Sequence, residues 1–294
     1  MKTVTTAREL SALRASWPDD VGFVPTMGGL HEGHLALVAK ARVSHRVVVV
    51  SIYVNPLQFG PNEDFGAYPR TQEADAARLA KAGVDAVFLP TDEEIYPRGR
   101  AAQTQVWIPG LSDDLCGQSR PGHFQGVATV VARLFGLVRP QAGYFGKKDY
   151  QQWRIIERMV ADLGLPLAVV GVDTMREADG LAKSTRNQYL TAAERARAPG
   201  LYEVLIKGAQ LAASGEPPGD VEKGCVERLR ALRFVPDYVA IRRARDLAPP
   251  SDEDDQWVIL GAARLGVTRL IDNWEFSRIR HHDDGTLHQA AKAG

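Results

Sequence analysis

Residues 21–40 read VGFVPTMGGLHEGHLALVAK, and this stretch decides the fold. It begins with an apolar run at 21–26, passes through the glycine pair at 28 and 29, and continues from Leu35 as a sequence that favours a helix. An apolar strand, a glycine turn and a helix in this order are typical of a β-α unit with a parallel sheet. The stretch therefore predicts an α/β protein whose first loop lies at the carboxyl end of a strand.

His31 and His34 stand three residues apart at the start of the predicted helix, with Gly33 between them. Residues at this spacing share one helix face, beside unpaired backbone N–H groups and the positive end of the helix dipole. The glycines let a ligand approach the backbone closely. Two other interpretations are a coincidental surface pair and a zinc site, although helical zinc pairs are commonly four residues apart and need further ligands. The preceding strand and turn favour phosphate binding, and a nucleotide is the first candidate.

The whole chain has 294 residues, 45% of them hydrophobic and 24% charged. Lys and Arg total 36, as do Asp and Glu, so the overall charge does not indicate a nucleic-acid partner. Two cysteines are too few for a disulfide framework or a cysteine zinc site. The longest apolar run, 47–54, is far shorter than the roughly 20 residues of a membrane helix. We therefore expect a soluble cytoplasmic protein, with no secretory signal and no membrane partner.

Strand and helix patterns alternate from residue 21 to about 171. This alternation predicts a Rossmann-like, doubly wound parallel sheet in a domain over 1–175, with ligands at the carboxyl ends of the strands. The expected strands are 21–26, 47–54, 86–89, 143–145 and 167–172, and the expected helices are 33–44, 71–82, 124–138 and 149–163.

A different pattern follows residue 175 and predicts a smaller α+β domain over 176–294. The linker at 214–219 is rich in Pro and Gly. The last dozen residues are expected to fray. The expected helices are 192–213 and 221–232, and strands at 237–241, 257–263 and 268–271 would form a small antiparallel sheet.

Two further loops carry positive charge. Residues 146–152 read GKKDYQQ between a predicted strand and helix, where a lysine could neutralise phosphate and Asp149 could accept from a ribose hydroxyl or from helix N–H groups. The P-loop pattern is not found in the chain. Residues 183–187 read KSTRN, which is either a flexible basic linker or a mobile phosphate clamp over the nucleotide.

Neutral amides form a separate group of candidates. Residues 55–59 read NPLQF after the second strand, and Gln152 comes shortly after residues 146–149, which we call the lysine loop. Such amides can orient a hydroxyl and a carboxylate, although either glutamine alone can be a routine polar residue. Residues 120–124 read RPGHF, and we assign this turn chiefly to architecture near the site.

Taken in order, these segments resemble the pantothenate synthetase (pantoate–β-alanine ligase) family of the HIGH-motif nucleotidylyl transferase superfamily. The resemblance spans roughly residues 20–275. It is carried by PTMG at 25–28, LHEGH at 30–34, VNPLQF at 54–59, YPRT at 68–71, RPGHF at 120–124, FG at 145–146, KDYQQ at 148–152, DGLA at 179–182 and RLIDN at 269–273.

The resemblance implies ATP-dependent condensation of (R)-pantoate with β-alanine to pantothenate. Pantoyl adenylate would form first, with release of pyrophosphate, and β-alanine would then displace AMP. Mg²⁺ would accompany ATP, and the enzyme would be a cytoplasmic homodimer. Another adenylyl- or cytidylyl-transferase with a different acceptor, and a catalytically silent nucleotide-binding homologue, are the alternatives.

The resemblance also implies roles for individual residues. The catalytic residues would be His34, His31 and Lys148. The amides of Gln58 and Gln152 would bind pantoate, Gln58 also facing β-alanine, and Asp75 would be near Mg²⁺. The residues implied to bind ATP are Met27, Gly28, Gly29, Leu30, His31, Glu32, Gly33, His34, Gly146, Lys147, Lys148, Asp149, Met175, Lys183, Ser184, Thr185 and Arg186.

The chain departs from the family pattern in places. Lys147 stands where Glu is usual, Lys183 where an apolar residue is usual, and Thr185 where Ser is usual. Ala240 replaces an acidic residue that is common at its position. We expect Lys147 and Lys183 to tighten ATP binding through their added positive charge.

Overall fold

The structure is a computed structural model that describes residues 1–61 and 63–279, so the expected fraying of the last dozen residues lies outside it. The chain divides into two compact units. The first consists of residues 1–175 together with Lys183–Thr185, and the second of Arg176–Ala182 and the residues from Arg186 onward. The functional division expected at residue 176 stays a prediction.

The first unit contains a six-stranded parallel sheet in the order β1-β4-β3-β2-β5-β6. The sheet grows in one direction from β2 through β3 to β4, and then in the other direction through β5 to β6. The point at which the order reverses, between β2 and β5, is where ligands of such sheets bind. The α/β fold class is thereby confirmed. The strands are β1 (Lys2–Val4), β2 (Val21–Thr26), β3 (Val47–Ile52), β4 (Ala86–Phe88), β5 (Ala142–Gly146) and β6 (Ala168–Val172).

Helices of the first unit flank this sheet, and those expected at 33–44, 71–82, 124–138 and 149–163 lie close to their expected positions. The short edge strand β1 was not predicted, because three residues are too few to show a strand period. Short 3₁₀ turns lie at Pro56–Gln58, Arg100–Ala102 and Lys147–Asp149. The helices are α1 (Ala7–Ala15), α2 (Glu32–Ser44), α3 (Gln72–Lys81), α4 (Asp92–Ile95), α5 (Cys116–Ser119), α6 (His123–Val138) and α7 (Tyr150–Asp162).

The core of the first unit forms on the central strands. All six residues of β3 are buried, which explains its continuous valine run. Val48 and Val50 pack with residues of α2 and α3. The carboxyl ends of the strands are therefore anchored by this packed core. Other buried members of this cluster are Val24, Leu30, Leu37, Val38, Ala41, Ile52, Leu79 and Tyr144.

The second unit has a three-stranded antiparallel sheet in the order β7-β8-β9. The helix expected over 192–213 is two helices, because Pro199 lacks the N–H and clashes with a continuous helix. Ala240, one of the departures from the family pattern, is buried in β7. The elements are α8 (Ala192–Arg197), α9 (Gly200–Ala213), α10 (Pro218–Ala231), β7 (Val235–Arg243), β8 (Gln256–Leu265) and β9 (Thr268–Ser277), and a 3₁₀ turn spans Thr185–Tyr189.

Within residues 1–61 and 63–279, the helices are all too short or too polar to cross a bilayer.

Candidate active site

The turn after β2 shapes the first wall of the site. Thr26 Oγ1 donates to the carbonyl of Ser51 at 2.7 Å, which ties the end of β2 to β3. Gly28 and Gly29 follow with φ of +87° and +61°, a backbone region that favours glycine. A Cβ at Gly29 would lie 2.6 Å from Cγ2 of Thr185. Both glycines are therefore needed for the turn, as the sequence predicted.

His31 and His34 cap α2 reciprocally. His31 is the N-cap residue, and its Nδ1 accepts from the backbone N–H of Gly33 at 3.1 Å. The backbone N–H of His31 in turn donates to Nδ1 of His34 at 3.3 Å. The two rings lie 4.1 Å apart between centroids. Because each Nδ1 accepts, the proton of each neutral ring is on Nε2, which is left to donate to a ligand.

Both imidazoles are held in the neutral form. Burial, with Lys148 adding to it, lowers the pKa of His31 to about 4. Burial and the neighbouring His31 lower the pKa of His34 to about 3. Lys148 and Asp149 act electrostatically on both rings, so the structure brings the histidine pair and the lysine loop together. At neutral pH the pair therefore supplies hydrogen-bond donors without charge.

The lysine loop connects β5 to α7 at the same edge of the sheet. Lys147 Nζ lies 2.9 Å from Oδ1 of Asp173 and 5.6 Å from the centroid of the Trp153 ring. Asp149 occupies the N-cap position of α7, but it makes no side-chain capping hydrogen bond within the described part of the chain. The contact of Asp149 with a ribose hydroxyl stays a prediction.

The segment Lys183–Thr185 belongs to the first unit and contacts the turn after β2. Lys183 Nζ lies 3.0 Å from Oε2 of Glu32, and Thr185 Oγ1 donates to the carbonyl of Gly29 at 3.1 Å. The backbone N–H of Lys183 donates to the carbonyl of Met175 at 2.9 Å. Two departures from the family pattern thus hold this segment against residues 27–34, the predicted nucleotide loop. Arg186 lies in the second unit, and its role at ATP stays a prediction.

Gln58 is the candidate substrate amide whose orientation is fixed by neighbouring side chains. It is 9% exposed, and its Oε1 accepts from Nδ2 of Asn55 at 3.0 Å. Tyr96 donates its hydroxyl to Oδ1 of Asn55 at 2.6 Å, which fixes the orientation of the Asn55 amide. The Nε2 of Gln58 lies 3.1 Å from Sδ of Met27, on the nucleotide loop. The amide therefore presents its N–H₂ group toward the end of β2.

A partly buried ionic network holds the backbone of Gln58. His123 Nδ1 donates to the Gln58 carbonyl at 2.8 Å, and Nε2 of the same ring lies 2.9 Å from Nη1 of Arg120. Arg120 in turn makes a bidentate pair with Glu63 at 2.7 and 2.6 Å. Burial and the charge of Arg120 lower the pKa of His123 to about 3. The turn at 120–124 is thus architectural, as expected, whereas the contribution of Glu63 was missed because no local pattern marks it.

The neighbouring glutamines on α7 have different surroundings. Gln151 is buried and bonds to the backbone of Cys116, Leu111 and Asp114, so it is a packing residue. Gln152, the expected substrate ligand, is only partly buried on the first turn of α7. Its role in substrate binding stays a prediction.

A cavity of about 210 Å³ lies beside the nucleotide loop, at the carboxyl ends of β2, β3 and β4. Met27, Gly28 and Thr71 are part of its wall. Thr71 stands at the N-cap position of α3. Its hydroxyl donates to Oδ2 of Asp75 at 3.0 Å instead of accepting from the backbone.

The described residues contain no group of three or more His, Cys, Asp or Glu that could hold a metal ion. Asp75, the expected neighbour of Mg²⁺, is 2% exposed and accepts from the backbone N–H groups of Gly29 and Leu30, both at 2.9 Å. The carboxylate is thus almost fully buried and both of its oxygens already accept from the backbone, which does not fit a protein-held Mg²⁺ ligand.

The chain is similar to one protein family over almost its whole length. The family profile described as pantoate–β-alanine ligase matches residues 1–275. A pantothenate synthetase of Chromohalobacter salexigens is 54% identical over 253 residues, covering 86% of this chain and 89% of that protein. A pantothenate synthetase of Shewanella loihica is 50% identical over 279 residues, covering 93% of this chain and 99% of that protein.

Solved structures give the same result. The crystal structure of pantothenate synthetase from Thermus thermophilus matches with a TM-score of 0.87 and 51% identity, covering 93% of this chain and 99% of that one. A pantoate–β-alanine ligase from Francisella tularensis, solved in complex with β,γ-ATP and β-alanine, matches with a TM-score of 0.78 and 32% identity. That match covers 93% of this chain and 97% of the Francisella chain.

Proposed function

The chain belongs to the pantoate–β-alanine ligase family and catalyses the ATP-dependent ligation of pantoate and β-alanine, and from this premise we propose a pathway through pantoyl adenylate. A carboxylate oxygen of pantoate attacks the α-phosphorus of ATP, the bond to the bridging oxygen breaks, and pyrophosphate leaves. The amine of β-alanine then attacks the activated carbonyl carbon. AMP leaves, the nitrogen loses a proton, and pantothenate is formed.

The observation that carries this proposal is the reciprocal cap of His31 and His34. It leaves two neutral Nε2–H donors at the beginning of α2, in the electrostatic environment of Lys148. Donors fixed before the reaction stabilise charge that develops on phosphate oxygens, since little reorganisation is needed in the transition state. We assign His34 and His31 to the α-phosphate and Lys148 to the negative charge of the phosphates.

The amides are assigned to pantoate. The N–H₂ group of Gln58 is directed by Asn55 and lies at Met27, where it can donate to a pantoate oxygen. Gln152 supplies the second amide from α7, which begins at the same edge of the sheet. Such ligands position an acid for attack without taking part in proton transfer. Positioning and charge stabilisation then account for the first half-reaction without a covalent enzyme intermediate.

ATP is assigned to the turn after β2, the lysine loop and the clamp. The contacts of Lys183 with Glu32 and of Thr185 with Gly29 support the clamp role of their segment. We propose that Mg²⁺ arrives bound to the ATP phosphates, where it would offset their charge. No step is assigned to a metal held by protein side chains, since the Asp75 carboxylate does not fit that role.

We further propose that the enzyme works as a cytoplasmic homodimer. Cys116 and Cys225 are both buried outside any disulfide, which supports a reducing compartment. Light scattering at several protein concentrations tests the dimer. A mass near 32.2 kDa at all concentrations contradicts it, since that is the mass of one chain.

The adenylate pathway is tested by leaving out the amine. Purified protein with ATP, Mg²⁺ and pantoate should release pyrophosphate in an amount close to the enzyme concentration, because the adenylate stays bound. Addition of β-alanine should then release AMP and allow repeated turnover. Pyrophosphate that appears only when β-alanine is present contradicts an adenylate formed before the amine reacts.

A further inference from the structure

The buried carboxylate of Asp75 joins α3 to the nucleotide loop. Oδ2 accepts from the N–H of Gly29 and Oδ1 from the N–H of Leu30, each at 2.9 Å. Thr71 Oγ1 donates to Oδ2 from one turn earlier on the chain, at 3.0 Å. Three donors therefore converge on one carboxylate that is 2% exposed.

Leu30 is held from both sides by the same helix. Asp75 binds its N–H, and the guanidinium of Arg78 donates to its carbonyl. Asp75 and Arg78 are three residues apart on α3 and so share one face. One helix thus fixes both polar groups of the residue that directly precedes His31.

The loop needs this external support because of its own backbone. Gly28 and Gly29 both have positive φ, and glycine is the residue with the most conformations to lose. The carboxylate also packs closely under the loop, since a Cβ at Gly28 would lie 3.2 Å from Oδ2. Displacement of Leu30 would move the N-cap residue His31, and with it the donor to His34.

We propose that Asp75 is a positioning residue, which with Arg78 sets the place of the two imidazoles in the nucleotide site and does not ligate a metal. The inference rests on the proposed nucleotide role of His31 and His34. It gives Asp75 a function that requires neither Mg²⁺ nor contact with ATP. Loss of the carboxylate should then weaken ATP binding to the same extent with and without metal.

The test is calorimetric binding of ATP to wild type and Asp75→Asn, once with Mg²⁺ and once with excess EDTA. The amide keeps the size of the side chain but turns an N–H₂ group toward backbone donors. We expect at least about tenfold weaker binding in both conditions, because small displacements of binding groups have effects of this order. In steady-state assays the KM for ATP should rise while the KM for β-alanine changes little.

Asp85→Asn is the matched control. Asp85 also accepts from a backbone amide, that of Val48 at 2.8 Å, but at the opposite end of the sheet. It should lower thermal stability without changing ATP affinity. Equal ATP affinities for Asp75→Asn and Asp85→Asn would refute positioning, and a defect that disappears in EDTA would identify a metal ligand instead.

Thr71 gives a milder second test in case Asp75→Asn does not fold. Thr71→Val removes the hydroxyl that bonds Oδ2, whereas Thr71→Ser keeps it. Weaker ATP binding by Thr71→Val, restored in Thr71→Ser, supports the proposal, and identical binding by both variants contradicts it. Wild type that binds ATP but forms no product would refute the proposed reaction alone, whereas wild type that does not bind ATP refutes both.

Discussion

At the scale of single residues, the site depends on which nitrogen of each histidine faces the backbone. The sequence predicted that His31 and His34 share a helix start, because strand, glycine turn and helix follow one another locally. It could not predict the reciprocal cap, since that depends on rotamers and on the backbone of Gly33. In the cap, Nδ1 of both rings accepts a backbone hydrogen bond, which leaves both Nε2–H groups to donate to a ligand.

We expect His34→Ala and Lys148→Ala each to lower kcat by at least two orders of magnitude, because each removes a group that stabilises developing charge.

The variant His34→Asn separates the role of the ring in the helix cap from its role as a donor to the ligand. Its amide oxygen can replace Nδ1 in the cap, but it lacks the distal donor, so stability should be kept while turnover falls. Steady-state rates and thermal melts measure both effects. Lys81→Ala, on the exposed end of α3, is the control, and near-normal kcat in His34→Ala or Lys148→Ala contradicts the assigned roles.

The buried His123 predicts acid sensitivity of the fold. Its pKa falls from the ordinary 6.5 to about 3 because of burial and Arg120. Below about pH 6.5 the unfolded chain therefore binds a proton that the folded chain does not, and stability is lost as the pH falls toward 3. At pH 5 this amounts to about 2 kcal/mol for one histidine. Urea unfolding at pH 7 and pH 5 should show a smaller loss for His123→Gln than for wild type, and equal losses contradict the prediction.

At the scale of elements, the predictable parts were those with a strong local pattern. The valine-rich strand β3 and the helix α6 were expected almost where they lie, since burial determines their composition. The surroundings of Gln58 could not be predicted, because Tyr96 bonds its neighbour Asn55, and Arg120 bonds its carbonyl, from distant parts of the chain. The helical pattern alone predicted one helix running through Pro199, whereas α9 begins after that residue.

The charges of Lys183 and Lys147 are expected to make ATP binding depend on the salt concentration. Lys183 pairs with Glu32 and Lys147 with Asp173, so each charge is partly offset, and exposed pairs are weak. We expect Lys183→Met and Lys147→Glu each to raise the KM for ATP by about two- to fivefold and to reduce its dependence on salt. KM values at low and high KCl measure this, with the exposed Lys207→Met as control. Unchanged salt dependence in both variants means that neither lysine tightens ATP binding.

At the scale of the whole molecule, the chain builds two separate cores. Leu79 belongs to the cluster of the parallel sheet and Leu205 to the cluster of the antiparallel sheet, and both are fully buried. The change from alternating β-α units to helices followed by antiparallel strands allowed this architecture to be predicted. The return of Lys183–Thr185 to the first unit could not be predicted, because a short polar segment carries no such pattern.

The two cores should unfold in distinguishable steps. Leu79→Ala and Leu205→Ala each leave a cavity and should destabilise their own unit by about 3 kcal/mol. In differential scanning calorimetry we expect two transitions, with each variant lowering a different one. A single transition that both variants shift equally would show that the units unfold together.

The discontinuity of the first unit has a consequence for the growing polypeptide. Arg176–Ala182 forms a small antiparallel turn in the second unit, where Arg176 pairs with Asp272 at 2.7 and 2.9 Å. A nascent chain that has emerged from the ribosome only as far as residue 175 still lacks Lys183–Thr185. The nucleotide loop therefore receives its contacts with Lys183 and Thr185 only after the parallel sheet has been synthesised, and we expect a fragment ending at 175 to bind ATP more weakly than the whole chain.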